Sequence, residues 1–250
     1  MITPRSLSAG SKVALVAPAR KISYEEISFA IDYIKERGFI PIYDERLFQT
    51  HNQFAGNDEE RASVMQYYLD ASDIDAILCV RGGYGTVRII DRLNFDKFMQ
   101  NPKWIVGYSD VTVLHCKLHS LGVESLHATM PINFPSNTKK SLDTLFDALI
   151  GKEITYDYQD SPQNIKGDAE GIIVGGNLSV LYSLLGSDIF PDTKDKILFI
   201  EDIDEYLYHI DRMMMAFERA GVLDNIKGLV VGGMTGMHDN AVPFGMSAED

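Results

Sequence analysis

The sequence is poor in the residues that would place it in several large classes. Only two of its 250 residues are cysteine, Cys79 and Cys116, which excludes the disulfide framework that staples small secreted domains and fits a reducing cytoplasm. Lysine and arginine number 23 against 36 aspartates and glutamates, a net charge of −13. With no basic run, such a chain is repelled by phosphate backbones and anionic lipid, so neither nucleic acid nor a membrane surface is an expected partner. No stretch approaches the ~20 apolar residues of a membrane span. The apolar run at 13–17 is at the lower limit of length for a signal-peptide core and reads as a first buried strand. There is no Walker sequence, and Gly83 and Gly85 fail the dinucleotide pattern because Arg88 stands where a third small residue belongs.

What is present is a globular composition, 45% hydrophobic and 24% charged, arranged as alternating strands and helices. Residues 12–18 form a continuous apolar strand. Ser23 with Glu26 makes a capping box for a helix whose Ile27, Ala30, Ile31 and Ile34 share one face, and Gly38 closes it. Asn57 with Glu60 repeats the signature before a helix to about residue 71. Strands at 39–43, 75–80 and 103–108 and helices at 86–93 and 110–121 continue the series. The pattern predicts an α/β fold with an N-terminal doubly wound, mostly parallel sheet over residues 1–150. Residues 151–167 are polar and read as a linker. Strands at 170–174, 196–200 and 228–231, with helices at 177–185 and 205–220, then predict a smaller C-terminal α/β domain over 168–250. A loop of 19 residues follows at 232–250 with no element to finish that domain, which reads either as an incomplete domain, the expectation taken here, or as a functional tail.

In an open α/β sheet ligands gather beyond the carboxyl ends of the strands, so the strand-to-helix turns carry the candidates. Ser109 follows an apolar strand and precedes a helix, with Gly107 two residues upstream, as in a nucleophile elbow; the usual second glycine is replaced by Val111. Ser109 or Asp110 reads equally as an ordinary N-cap. The glycines of Arg81-Gly-Gly-Tyr-Gly85 suit either an oxyanion cradle or a tight turn. Glu201, after the strand residues KILFI, is either the acid of a Ser-His-Glu triad or a structural ion pair. Asp202, Asp204, Glu205 and Asp211 read as a solvated helix start rather than a cation site. His115 and His119 are four apart but lack a third ligand, so no metal is expected. Among the remaining histidines His238 is the best placed by position alone, in the loop after a strand. Cys79 lies within AILCV and reads as a buried structural thiol.

Taken together, the segments VALVAPA, RGGYGTVRIID, NPKWIVGYSDVTVLH, EGIIVGGNLSVL, LFIEDIDEYLYHIDRM and IKGLVVGG resemble the LD-carboxypeptidases, or muramoyltetrapeptide carboxypeptidases, in family order and over nearly the whole chain. The resemblance implies an N-terminal domain like class I glutamine amidotransferases, a C-terminal domain around a small sheet, and a Ser-His-Glu triad without metal or other cofactor. Ser109 matches the family's nucleophile and Glu201 its triad acid, with the backbone N–H groups of Asp110 and Gly83 as the oxyanion hole. The implied substrate is the murein tetrapeptide, cleaved at an L,D bond to release D-alanine, and the implied assembly is a homodimer. Two departures accompany it. The family's histidine lies downstream of a PFG stretch matched here by 243–245, and the sequence given stops at Asp250, so the base is expected beyond this chain and the chain in this form to turn over slowly. His127-Ala-Thr-Met130 stands where relatives tend to read His-Gly-Pro-Met. Two competing readings remain: an immunity peptidase acting on peptide-nucleotide antibiotics, and a non-catalytic module that binds cell-wall peptides.

Overall fold

A computed structural model describes residues 1–158 and 160–250, which divide into two compact units, Met1–Thr155 and Tyr156–Asp250. In the first unit the elements run β1 (Lys12–Val16), α1 (Tyr24–Glu36), β2 (Ile40–Ile42), α2 (Asp58–Asp70), β3 (Ala76–Cys79), α3 (Asp96–Gln100), β4 (Trp104–Gly107), α4 (Thr112–Ser120), β5 (Leu126–His127) and α5 (Lys139–Leu149). The second contains β6 (Ile173–Asn177), α6 (Leu178–Leu184), β7 (Ile197–Ile203), α7 (Leu207–Arg219) and β8 (Gly228–Thr235).

The first sheet is parallel throughout, in the order β2-β1-β3-β4-β5. Its central strands are apolar on both faces because helices cover both, as a parallel sheet requires: all four residues of β3 are buried, and so are Val13 to Val16. Both expected capping boxes are formed, Ser23 with Glu26 on α1 and Asn57 with Glu60 on α2. The strand order reverses direction between β1 and β3. Chains leaving these two neighbours therefore diverge and open a crevice above their carboxyl ends, the position where this topology binds ligands.

Between β3 and β4 the structure differs from the sequence expectation. The helix expected at 86–93 is two single 3₁₀ turns, Thr86–Arg88 and Ile90–Arg92, before the short α3. Gly85 sits at φ +149° and offers no side-chain cap, and the Thr86 N–H is taken by the Asp110 carboxylate, 2.8 Å away. A turn whose first donor is claimed by a distant side chain does not need to propagate into a helix.

The second unit holds a three-stranded parallel sheet, β6-β7-β8. Two strands run longer than their sequence pattern suggests: β7 continues through Ile203 and β8 through Thr235. The α7 helix presents Ile210, Met213 and Phe217 as one buried stripe at i, i+3, i+7.

Candidate active site

In the first unit, β4 ends at Gly107 and the chain turns sharply through Tyr108 and Ser109 into α4. Ser109 takes φ +60°, in the left-handed region that costs an L-residue about 1–2 kcal/mol, so the turn holds it there against its preference. The packing shows how. A Cβ added at Gly107 would come within 2.8–2.9 Å of both Cγ atoms of Val111, so strand and turn approach as closely as a glycine allows. A second glycine at 111 is unnecessary because the valine side chain fills the space that Gly107 leaves. The Gly107 carbonyl is further held by the His115 ring, whose Nε2 lies 2.9 Å from it and whose Nδ1 lies 2.8 Å from Ser125 Oγ. Burial pushes His115 down to about 4, and it pushes the nearby His127 down to about 3. Both rings are therefore neutral at pH 7, and His115 donates from Nε2 to the carbonyl while accepting at Nδ1 from the serine.

The glycine-rich loop after β3 lies directly on this turn. A Cβ at Gly82 would stand 3.1 Å from Ser109 Cβ and 3.2 Å from both Ser109 Oγ and Met130 Cε. Gly83, at φ +110°, follows. Two buried side chains brace the arrangement. Asp110, 3% exposed, accepts from the Thr86 N–H and so ties the serine turn to the loop. Arg61 on α2 is buried completely; its Nη1 donates to the carbonyls of Pro18 (2.6 Å) and Gly85 (2.9 Å), joining the chain leaving β1 to the chain leaving β3. Its guanidinium also pairs with Asp58 and lies 4.8 Å from the Phe54 ring centroid.

In the second unit, Glu201 lies within β7 rather than after it, opposite Asn177 of β6. The pairing of β7 with β8 slips between Ile200 and Asp202, a bulge of the kind that re-aims a side chain. Gly232 makes room there, since a Cβ at that position would stand 3.1 Å from Glu201 Cβ. Burial raises the Glu201 carboxyl to about 7, the Asp202 charge adds to the rise, and a hydrogen bond with Asn177 opposes it. Asp202 does not belong to a solvated helix start. It is 2% exposed and accepts from Asn177 Nδ2 (2.8 Å), the Ser179 N–H (2.8 Å) and the Ile203 N–H (2.9 Å). His238 pairs with Asp204 at 2.5 Å and packs against the Tyr206 ring, while Cys79 and Cys116 are buried thiols raised to about 12.

The structure thus brings Ser109, Asp110, Gly82 and Gly83 together in the first unit. Glu201 belongs to the second unit. Motif reading passed over Arg61 and the inward role of Asp202. The last had a signal: had the strand been carried through EDI, alternation would have put Asp202 on the face of Leu198 and Ile200.

Comparison with known proteins bears on all of this chemistry. Residues 13–128 match the model of the LD-carboxypeptidase N-terminal domain, and residues 170–249 that of the LD-carboxypeptidase C-terminal domain. A probable murein peptide carboxypeptidase of Bacillus subtilis is 35% identical over 237 residues, covering 91% of this chain and 73% of the relative. The murein tetrapeptide carboxypeptidase of Pseudomonas aeruginosa is 26% identical over 216 residues, covering 81% and 70%. Among solved structures, the muramoyltetrapeptide carboxypeptidase of Oxalobacter formigenes superposes with a TM-score of 0.86 at 29% identity, covering 95% of this chain and 81% of that one. With both domain models matched in order and a relative this similar along most of its length, the chain belongs to the LD-carboxypeptidase family.

Proposed function

We propose that this protein is a serine carboxypeptidase that removes the terminal D-alanine from the murein tetrapeptide during cell-wall recycling. The observation that carries the reading is Ser109 held at φ +60° under the glycine loop, in a chain whose family is one of carboxypeptidases. Ser109 Oγ attacks the carbonyl carbon before the D-residue and passes its proton to a histidine oriented by Glu201. The oxyanion that forms is received by the N–H groups of Asp110 and Gly83; at a helix start such donors lack an intrahelical acceptor. The tetrahedral intermediate collapses, the C–N bond breaks, and D-alanine leaves with the proton returned from the histidine. Water then releases the acyl group by the same route. A carboxyl at about 7 suits the acid's part, because an imidazolium placed beside it draws it back into the ionised range. The histidine is assigned to residues downstream of Asp250. No metal or other cofactor takes part in this scheme.

The buried thiols fit a reducing compartment, and we place the reaction in the cytoplasm. Among the described residues no helix is long and apolar enough to cross a membrane. A homodimer follows from the family resemblance, and light scattering tests it.

The decisive experiment is active-site titration with a serine-directed fluorophosphonate, paired with D-alanine release from the tetrapeptide. Three proteins are compared: this chain, its Ser109→Ala variant, and a chain continued by its native downstream codons. Labelling and release in the continued protein, abolished by Ser109→Ala, are expected. Release from an acyl-sulfamoyl adenylate instead of the peptide would favour the immunity reading, and peptide binding without any hydrolysis would favour the binding module.

A further inference from the structure

A peptidase confined to the last residue of its substrate must recognise a free carboxylate, and nothing in the scheme above supplies the cation. Arg20 does so by its position. It follows β1 at the point where the sheet order reverses, and it faces the glycine loop that follows β3. Its backbone is fixed on both sides: Arg20 bridges Phe54, Ala19 O accepts from the Ala55 N–H at 3.1 Å, and the Lys21 N–H donates to Gln53 O at 3.0 Å. The methylene stem lies on Gly83 so closely that any Cβ at that position would collide with Arg20 Cγ and Cδ. The two glycines are therefore enclosed between Ser109 on one side, through Gly82, and the arginine stem on the other, through Gly83.

The other arginines around the loop are already matched. Arg81 pairs with Glu26 at 3.0 Å, Arg88 with Asp58 at 2.7 Å, and Arg61 with the same aspartate. The exposed Arg20 guanidinium has no carboxylate or other hydrogen-bonding side chain among the described residues. In a chain of net charge −13 an arginine anchored at the ligand crevice and left without a counter-ion is a ready anion seat.

The required separation is within the reach of this arrangement. Attack needs about 3 Å between Oγ and the carbonyl carbon, and the three bonds from that carbon to the carboxylate carbon extend about 4 Å. A guanidinium carbon stands about 4 Å beyond a carboxylate carbon it pairs with, so the cation belongs on the order of 10 Å from the serine oxygen. Consecutive Cα atoms are about 3.8 Å apart, so a glycine pair with a side chain packed on each end allows a separation of this order.

We infer that Arg20 receives the terminal carboxylate of the substrate and thereby restricts cleavage to the last peptide bond. The inference rests on the peptidase reading of Ser109. Its test is calorimetric titration of the Ser109→Ala protein, which holds peptide without turning it over, with the murein tetrapeptide and with its C-terminal amide. The acid is expected to bind on the order of 10- to 100-fold more tightly than the amide. Arg20→Met should remove that preference while leaving amide binding unchanged, and Arg20→Lys should retain part of it. Equal binding of acid and amide by the protein that keeps Arg20, binding of neither, or a preference that survives Arg20→Met would each overturn the inference. The peptidase reading fails separately, by absence of D-alanine release: an acid preference that depends on Arg20 in a protein that never releases D-alanine leaves the carboxylate seat standing and removes the hydrolysis.

Discussion

The two parallel sheets end in different kinds of chemistry. In the first unit the residue of interest, Ser109, is special because of its backbone, a left-handed serine wedged between Gly107 and Val111 on one side and Gly82 on the other. The buried groups that brace it are neutral or saturated: His115 and His127 carry no charge at pH 7, and Asp110 and Arg61 spend their charge on backbone groups and on Asp58. In the second unit Glu201 is special because of solvation, a carboxyl lifted to about 7 by burial beside a saturated Asp202. A residue defined by a backbone angle is governed by volume, and one defined by charge is governed by pH. The two halves should therefore fail under different perturbations.

The largest expected effect breaks the first half at its centre. In the continued protein Ser109→Gly removes the nucleophile and should lower D-alanine release by at least about 10³-fold, while relief of the left-handed strain stabilises the fold by about 1 kcal/mol. Denaturant unfolding alongside the release assay checks both signs; a destabilised Ser109→Gly would mean the turn is not strained. Next comes Arg61→Met, which leaves the Pro18 and Gly85 carbonyls without their donor and should cost about 3 kcal/mol. Gly107→Ala drives a methyl into Val111 and should cost about 2 kcal/mol, with a substantial part recovered by adding Val111→Ala.

The smallest effect sharpens the contrast, because it concerns pH. Folded His115 and His127, at about 4 and about 3, bind fewer protons than the unfolded chain below the ordinary value of 6.5. The stability they confer is complete above about pH 6.5 and drains away as pH falls through those lower values. Glu201 behaves oppositely. Between its ordinary 4.5 and about 7 the folded protein binds the extra proton, so stability declines as pH rises and the whole penalty is present above 7. Glu201→Gln should accordingly raise stability at pH 8 by about 1 kcal/mol after screening by nearby solvent, and by almost nothing at pH 4.5. Hydrogen exchange at the two pH values would locate the gain, and a gain in the first unit instead would break the comparison.

Local signals were legible in the sequence, and long-range ones were not. The capping boxes Ser23–Glu26 and Asn57–Glu60 join neighbours three residues apart, and the structure forms both. The 3₁₀ turns at Thr86–Arg88 and Ile90–Arg92 defeated a helical reading because the deciding partner, Asp110, is 24 residues away. Arg61 escaped for a related reason: hydrophobic periodicity flags Ala62, Met65 and Leu69 as inward and has no means of marking a buried cation whose acceptors are carbonyls at 18 and 85. For the elbow, the letters of the motif were incomplete while its geometry was met, since what the turn demands is a shared volume and not two glycines.

The bracing of the serine turn also bears on the order in which the molecule is made. Every contact described for it is closed within the stretch from Pro18 to Met130: Arg61 to Pro18 and Gly85, Asp110 to Thr86, His115 to Ser125, Gly82 to Met130. A ribosome that has released residue 130 has supplied all of these partners, yet at 5–20 residues per second Glu201 follows roughly 4 to 14 s later. In that interval every partner that braces the serine turn is already present while the second unit is still unmade, so the turn draws its shape from the first unit's own residues.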